Sequence, residues 1–175
     1  MKRDGNIYLV GMMGAGKTTI GKLLARRLSR SFVDSDQRIE ERTGVKIPVI
    51  FEIEGEQGFR RRESQVLEEL AKEPDLVVAT GGGIVLSESN RACLTRSGLV
   101  VYLCLPLGVL WERTRQDKNR PLLQVADPRA RIEELHGERD PLYRSVADIV
   151  VEGGRSSPNA LVRQLEKAIQ DRCAA

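Results

Sequence analysis

Short apolar runs recur along the chain at 7–10, 32–33, 76–79, 99–105 and 149–151, and longer stretches with helical periodicity lie between them. In the stretch after the first run, Ile20, Leu23, Leu24 and Leu28 fall at i, i+3, i+4 and i+8, while Lys22, Arg26 and Arg27 fall on the other side. Near the C-terminus Leu161, Val162, Leu165, Ala168 and Ile169 repeat that stripe, with Ser157 placed to cap the helix and Pro158 at its first position. Near-continuous apolar strands alternating with one-sided helices predict an α/β architecture, a mostly parallel sheet covered on both faces. In such sheets ligands bind beyond the carboxyl ends of the strands.

Length and charge narrow the class. With 175 residues, 41% of them hydrophobic, the chain is long enough for one sizeable core, and a single domain over 1–175 is expected. Lys+Arg 28 against Asp+Glu 25 leaves +3, too mild an excess for a dedicated nucleic-acid binder. Cys93, Cys104 and Cys173 are odd in number and lack C-x-x-C spacing, so neither a disulfide framework nor a zinc site is expected. Met1, Lys2 and Arg3 followed by an apolar run resemble a leader, but Asp4, Gly5 and Asn6 interrupt it. No run reaches the roughly 18 apolar residues of a membrane span. A cytoplasmic, monomeric protein with no membrane or nucleic-acid partner is the expectation.

The stretch "GMMGAGKT" at 11–18 matches G-x-x-x-x-G-K-[ST] between a strand and an amphipathic helix, the context in which that pattern cradles phosphates. Backbone N–H groups of Gly14, Ala15 and Gly16 and the helix N-terminus would wrap the anion, with Thr19 alongside. Lys17 would reach the β- and γ-phosphates and Thr18 would offer a hydroxyl to Mg²⁺. The alternative is a glycine turn that merely opens a helix. A signalling GTPase would need Asn-Lys-x-Asp, and "DKNR" at 117–120 has the wrong order. A small-molecule phosphotransferase, requiring only a cradle, an acceptor pocket and a lid, fits the length.

"FVDSD" then places Asp34 and Asp36 two apart, on one side of an extended chain. One carboxylate could support Mg²⁺ through water, and the other could accept and deprotonate an acceptor hydroxyl. Equally, Asp34, Ser35 and Asp36 could simply cap the next helix. Arg60 in "GFRRRES" and Arg139 in "ERDPLYR" are either solvated charges or, if they converge, forks for a substrate carboxylate. The stretch "TRQDKNRPLLQVAD" at 114–127 lacks periodicity and is a lid candidate; its Arg120 could swing onto the transferring phosphoryl group, or the loop could be only a basic surface. His136 and Trp111 are expected to be structural. Finally, "VVATGGGI" at 77–84 ends a strand in Gly81, Gly82 and Gly83, a costly run that requires either a sharp turn or a close neighbour.

Together "GMMGAGKTTIG", "FVDSDQRIEERTG", "IFEIEGEQGFRRRE", "ATGGG", "RPLL" and "ERDPLYRSVAD" resemble the shikimate kinase family over nearly the whole chain and in order. The resemblance implies a three-layer P-loop kinase fold, with a central five-stranded parallel sheet and a mobile lid about 113–127. It implies phosphorylation of the 3-hydroxyl of shikimate by ATP with Mg²⁺. It also implies that Lys17 contacts phosphates, Thr18 and Asp34 serve the metal, and Asp36 binds the hydroxyls and is the candidate base. Arg60 and Arg139 would hold the carboxylate, Gly81 and Gly82 would donate N–H groups to the substrate with Gly83 beside them, and Arg120 would be the lid arginine. Arg113 and Arg155 would lie near adenine. A gluconate-type sugar-acid kinase is the nearest alternative; a non-catalytic nucleotide-binding protein is the alternative from another class.

Overall fold

The computed structural model describes residues 5–174, and side chains through 172; residues 1–4, which enter the leader comparison, and the Cys173 thiol lie outside the described residues. Among the described residues, five strands, β1 (Asn6–Val10), β2 (Ser31–Asp34), β3 (Leu76–Ala79), β4 (Gly98–Cys104) and β5 (Ile149–Glu152), form one sheet in the order β2-β3-β1-β4-β5 with every pairing parallel. All five expected runs are strands. The central pair is buried throughout, Ile7 facing Val77 and Leu9 facing Ala79 across the ladder, which explains why these runs are apolar at every position rather than at alternate ones.

Among the described residues, seven helices connect and cover the sheet: α1 (Lys17–Leu28), α2 (Ser35–Thr43), α3 (Ile47–Leu70), α4 (Glu88–Ser97), α5 (Leu107–Thr114), α6 (Pro128–Val146) and α7 (Pro158–Ala174). The stripe of α1 buries Ile20 and Leu24 against the sheet, and α7 packs beside it through Leu161, Val162, Leu165 and Ile169. On the other side α4 and α6 pack against β4 and against each other. The cap of α7 is as expected, the Ala160 N–H donating to Ser157 Oγ. Among the described residues, no helix is long and apolar enough to cross a membrane.

One element departs from a simple rod. Helix α3 is interrupted at Gly55, whose φ of 70° and ψ of −178° are open to glycine and strained for other residues. The break divides α3 into a first arm, 47–54, and a second, 56–70. The first arm carries Ile53 on its outside, 75% exposed. The lid candidate is an irregular connection from Arg115 to Asp127, with one short turn at Pro121–Leu123 that anchors it through buried Leu123.

Candidate active site

Two cavities open side by side at the carboxyl edge of the sheet. The larger, about 610 Å³, is lined by the P-loop from Met13 through Thr19, by Asp34 and Arg113, and by Gly153, Gly154, Ser156, Pro158 and Leu161. The smaller, about 370 Å³, lies between the two arms of α3, the glycine triplet and the 119–122 segment. Met13, Asp36, Gly81, Gly82 and Arg120 line both. A group bound in one cavity therefore meets a group bound in the other at those five residues.

The phosphate cradle follows from glycine geometry. Gly14 and Gly16 have φ of 80° and 91°, in the left-handed region, so the loop curls without side chains and delivers the chain into α1. Gly16 at the N-cap supplies no side-chain cap, which leaves the first N–H groups of α1 for an anion. Lys17 Nζ donates to the carbonyls of Gly11 and Met12 at 2.7 and 2.8 Å. Burial lowers its pKa to about 8, with nearby Asp36 opposing the shift and Arg120 adding to it. Both observations describe an ammonium held back inside a site that a phosphate would complete.

Asp34 and Asp36 are not on one extended segment as expected. The chain turns helical at Ser35, and Asp34 becomes the N-cap of α2. Its two oxygens divide the work: Oδ1 accepts from the N–H groups of Asp36 and Gln37, while Oδ2 accepts from the Thr18 hydroxyl at 2.7 Å. Capping therefore occupies one oxygen of Asp34 and leaves the other on the Thr18 hydroxyl. Asp36 faces the shared edge of the two cavities. Its Oδ1 is buried without a hydrogen-bond partner, and burial together with the neighbouring Glu63 and Asp34 charges raises its pKa to about 7.

Arg60 and Arg139 do converge on the smaller cavity, but in different states. Arg60 Nη1 donates to Glu63 at 2.9 Å and Nη2 to Glu56 at 3.2 Å, which leaves Nε buried and unpartnered. Arg139 is 2% exposed and, among the described residues, has no carboxylate within ion-pair distance. A buried cation with no ion-paired carboxylate is costly, a cost that an anionic ligand beside Arg139 would offset. Arg120 Nε lies 2.9 Å from Asp117 Oδ2 yet is not aligned for a hydrogen bond.

The triplet Gly81, Gly82 and Gly83 has no left-handed residue, so a sharp turn is not what requires glycine there. Close neighbours are. A Cβ on Gly81 would stand 2.6 Å from Glu63 Oε2 and 2.8 Å from Asp36 Oδ1; one on Gly83 would collide with the Arg60 guanidinium. The expectation for Gly81 needs correction, because its N–H already donates to Ser35 Oγ at 3.1 Å and is not free for a substrate in this conformation. Arg155 also departs from expectation. It is exposed and does not line the larger cavity, although Gly154, Ser156 and Pro158 around it do. Arg113 lines that cavity and donates to the Gly14 carbonyl at 3.1 Å, so it braces the loop.

Several lining residues gave weaker signals in the chain. Phe51, Phe59 and Leu122 form apolar wall, and Asn119 adds an amide from the lid segment. Glu63 is fully buried beneath Arg60, its pKa raised by burial against the pull of Arg60 and Arg139. Its signal was the i, i+3 spacing from Arg60 on one helix face. His136, 3.9 Å from Asp140, and Trp111, packed on the core edge, stand outside both cavities.

The chain is similar to known proteins over nearly its whole length. The family model for shikimate kinase matches residues 13–170. A shikimate kinase of Aromatoleum aromaticum is 66% identical over 94% of this chain and 94% of its own length. One of Nitrosospira multiformis is 59% identical over 94% and 85%. Among solved structures, a shikimate kinase from Acinetobacter baumannii in complex with shikimate superposes with a TM-score of 0.95 at 48% identity, covering 98% of this chain and 96% of that one. A gluconokinase from Sinorhizobium meliloti, at 17% identity and a TM-score of 0.57, shares the fold alone.

Proposed function

The chain belongs to the shikimate kinase family, and we propose that it transfers the terminal phosphoryl group of ATP to the 3-hydroxyl of shikimate, giving shikimate 3-phosphate and ADP. The nucleotide occupies the larger cavity and the acceptor the smaller. The observation that carries this assignment is the shared edge of Met13, Asp36, Gly81, Gly82 and Arg120, where acceptor oxygen and γ-phosphorus would meet.

The chemistry follows from the residues at that edge. The acceptor's carboxylate settles against Arg139, with Arg60 adding its uncommitted Nε. That places a ring hydroxyl beside Asp36, whose unpartnered oxygen accepts its hydrogen bond and takes its proton as the hydroxyl oxygen attacks phosphorus and the β–γ bridge bond breaks. A base of pKa about 7 suits that exchange near neutral pH. Lys17 leaves the loop carbonyls for phosphate oxygens, and Arg120 offsets charge on the phosphoryl group in flight.

The Thr18 hydroxyl and Asp34 Oδ2 suit Mg²⁺: hard oxygen donors at the foot of a phosphate cradle, and too few protein ligands to hold a metal without phosphate and water. Bound there, the metal supplies positive charge to the β- and γ-phosphate oxygens. The protein is proposed to act as a cytoplasmic monomer.

A coupled ADP-release assay comparing shikimate, gluconate and no acceptor tests the function. Turnover dependent on shikimate is expected; equal rates in all three arms would overturn it.

A further inference from the structure

Three glycines in succession carry no side chains to fix them, and none is locked by an unusual φ. The acceptor turn therefore has to be held from outside. Ser35 Oγ takes the Gly81 N–H at one end. At the other, the Tyr143 hydroxyl donates to the Gly82 carbonyl. Because a trans peptide fixes C=O and the following N–H on opposite sides, anchoring the Gly82 carbonyl also sets the direction of the Gly83 N–H.

Tyr143 sits one helical turn beyond Arg139 in α6, on the same face, and is completely buried. The Arg139 guanidinium lies close enough to interact with its phenol oxygen, and Met12 Sδ is 3.8 Å away. Burial pushes the phenol pKa well above its usual range, so the hydroxyl remains a donor. One side chain thus touches the glycine turn and the base of the phosphate loop and lies beside the unpaired arginine. Within the function proposed above, it has been given no part.

We propose that Tyr143 is a positioning residue for the acceptor, its hydroxyl holding the Gly82 peptide and the Arg139 guanidinium in the arrangement that receives the substrate's carboxylate and ring. It does not touch the reacting atoms; it acts through two groups that border the cavity. The inference rests on the proposed shikimate kinase reaction, which the wild-type enzyme tests first: no shikimate-dependent turnover there would overturn that function and not the role of Tyr143.

Tyr143→Phe keeps the ring and removes only the hydroxyl. The control is Tyr102→Phe, which removes a neighbouring hydroxyl bonded to Asp140 at 2.7 Å, from a ring 4.9 Å from that of Tyr143, without touching either cavity. With thermal unfolding measured for both, Tyr143→Phe is expected to raise KM for shikimate about tenfold, the loss of one hydrogen bond to a charged or strongly oriented group. KM for ATP should stay within about twofold, and Tyr102→Phe should leave both constants unchanged. Tyr143→His, whose ring N–H offers another donor, should recover part of the affinity. In combination with Arg139→Lys, Tyr143→Phe should add less than its separate effect, since both act on one contact. An unchanged KM for shikimate, an equal rise in both KM values, or the same change in Tyr102→Phe would each overturn the proposal.

Discussion

At the residue scale, the site is governed by which charged atoms already have partners. Arg60 has committed two nitrogens to Glu63 and Glu56, whereas Arg139 is buried with no ion pair among the described residues. Arg139→Lys should therefore raise KM for shikimate more than Arg60→Lys does, about 100-fold against about tenfold, with kcat less affected in both. Steady-state kinetics on the two variants decides it, and the reverse order would mean that Arg60 leaves its glutamates to bind the carboxylate. Asp36 gives a second test. Its pKa is raised from 3.8 to about 7, so between those values the folded protein holds a proton that the unfolded chain has released, and stability falls as pH rises through that window. Asp36→Asn removes the burden: its melting temperature relative to wild type should be higher at pH 8 than at pH 4.5, while kcat drops at least about 100-fold. A constant difference in melting temperature across that range, or near-normal turnover, would contradict the assigned ionisation or role.

At the element scale, β1, β3 and β4 were legible because burial on both faces leaves an apolar run, whereas β2 and β5, at the partly exposed edges of the sheet, were legible only as shorter runs. Helices α1 and α7 were legible through a single stripe each. Helix α3 was not, because it buries residues on different sides of its two arms: Ile50 before Gly55, and Phe59, Glu63, Val66 and Leu67 after it. No one stripe runs its length. Asp34 and Asp36 were found as residues but misplaced as geometry, since the chain leaves the strand between them. Glu63 was hidden for a different reason: a fully buried carboxylate makes sense only once Arg60 and Arg139 are seen to face it. Both arms of α3 wall the acceptor cavity, Ile47 and Phe51 from the first, Phe59 and Arg60 from the second, so the bend at Gly55 sets its width. A Cβ there would meet nothing within 4 Å, which makes Gly55→Ala a test of backbone strain alone. A penalty of about 1–3 kcal/mol is expected, lowering the melting temperature by about 2–4 °C per kcal/mol. KM for shikimate should rise with KM for ATP unchanged; wild-type stability and wild-type KM together would show that the bend is not constrained.

At the scale of the whole molecule, two substrates must react with each other and not with water, and the parts that enforce this come from every layer of the fold. The sheet edge presents the glycine triplet, α1 brings Lys17, α3 brings Arg60 and α6 brings Arg139, while the connection after α5 brings Arg120 across both cavities. Arg120 stands in an irregular segment, 2.9 Å from Asp117 but unaligned with it for a hydrogen bond. Its charge adds to the lowering of the Lys17 pKa, so with no phosphate present the two cations disfavour each other. A triphosphate reverses that balance by giving both an anion to share. Arg120→Ala should therefore act on the reaction step: kcat reduced about 100- to 1000-fold, the range for losing one charge-stabilising donor, and KM for shikimate within a few-fold because Arg60 and Arg139 remain. Any slow ATP hydrolysis seen without acceptor should fall less than phosphoryl transfer does, since water needs no closed junction. A variant that kept kcat but lost shikimate affinity would reassign Arg120 from the phosphoryl group to the acceptor.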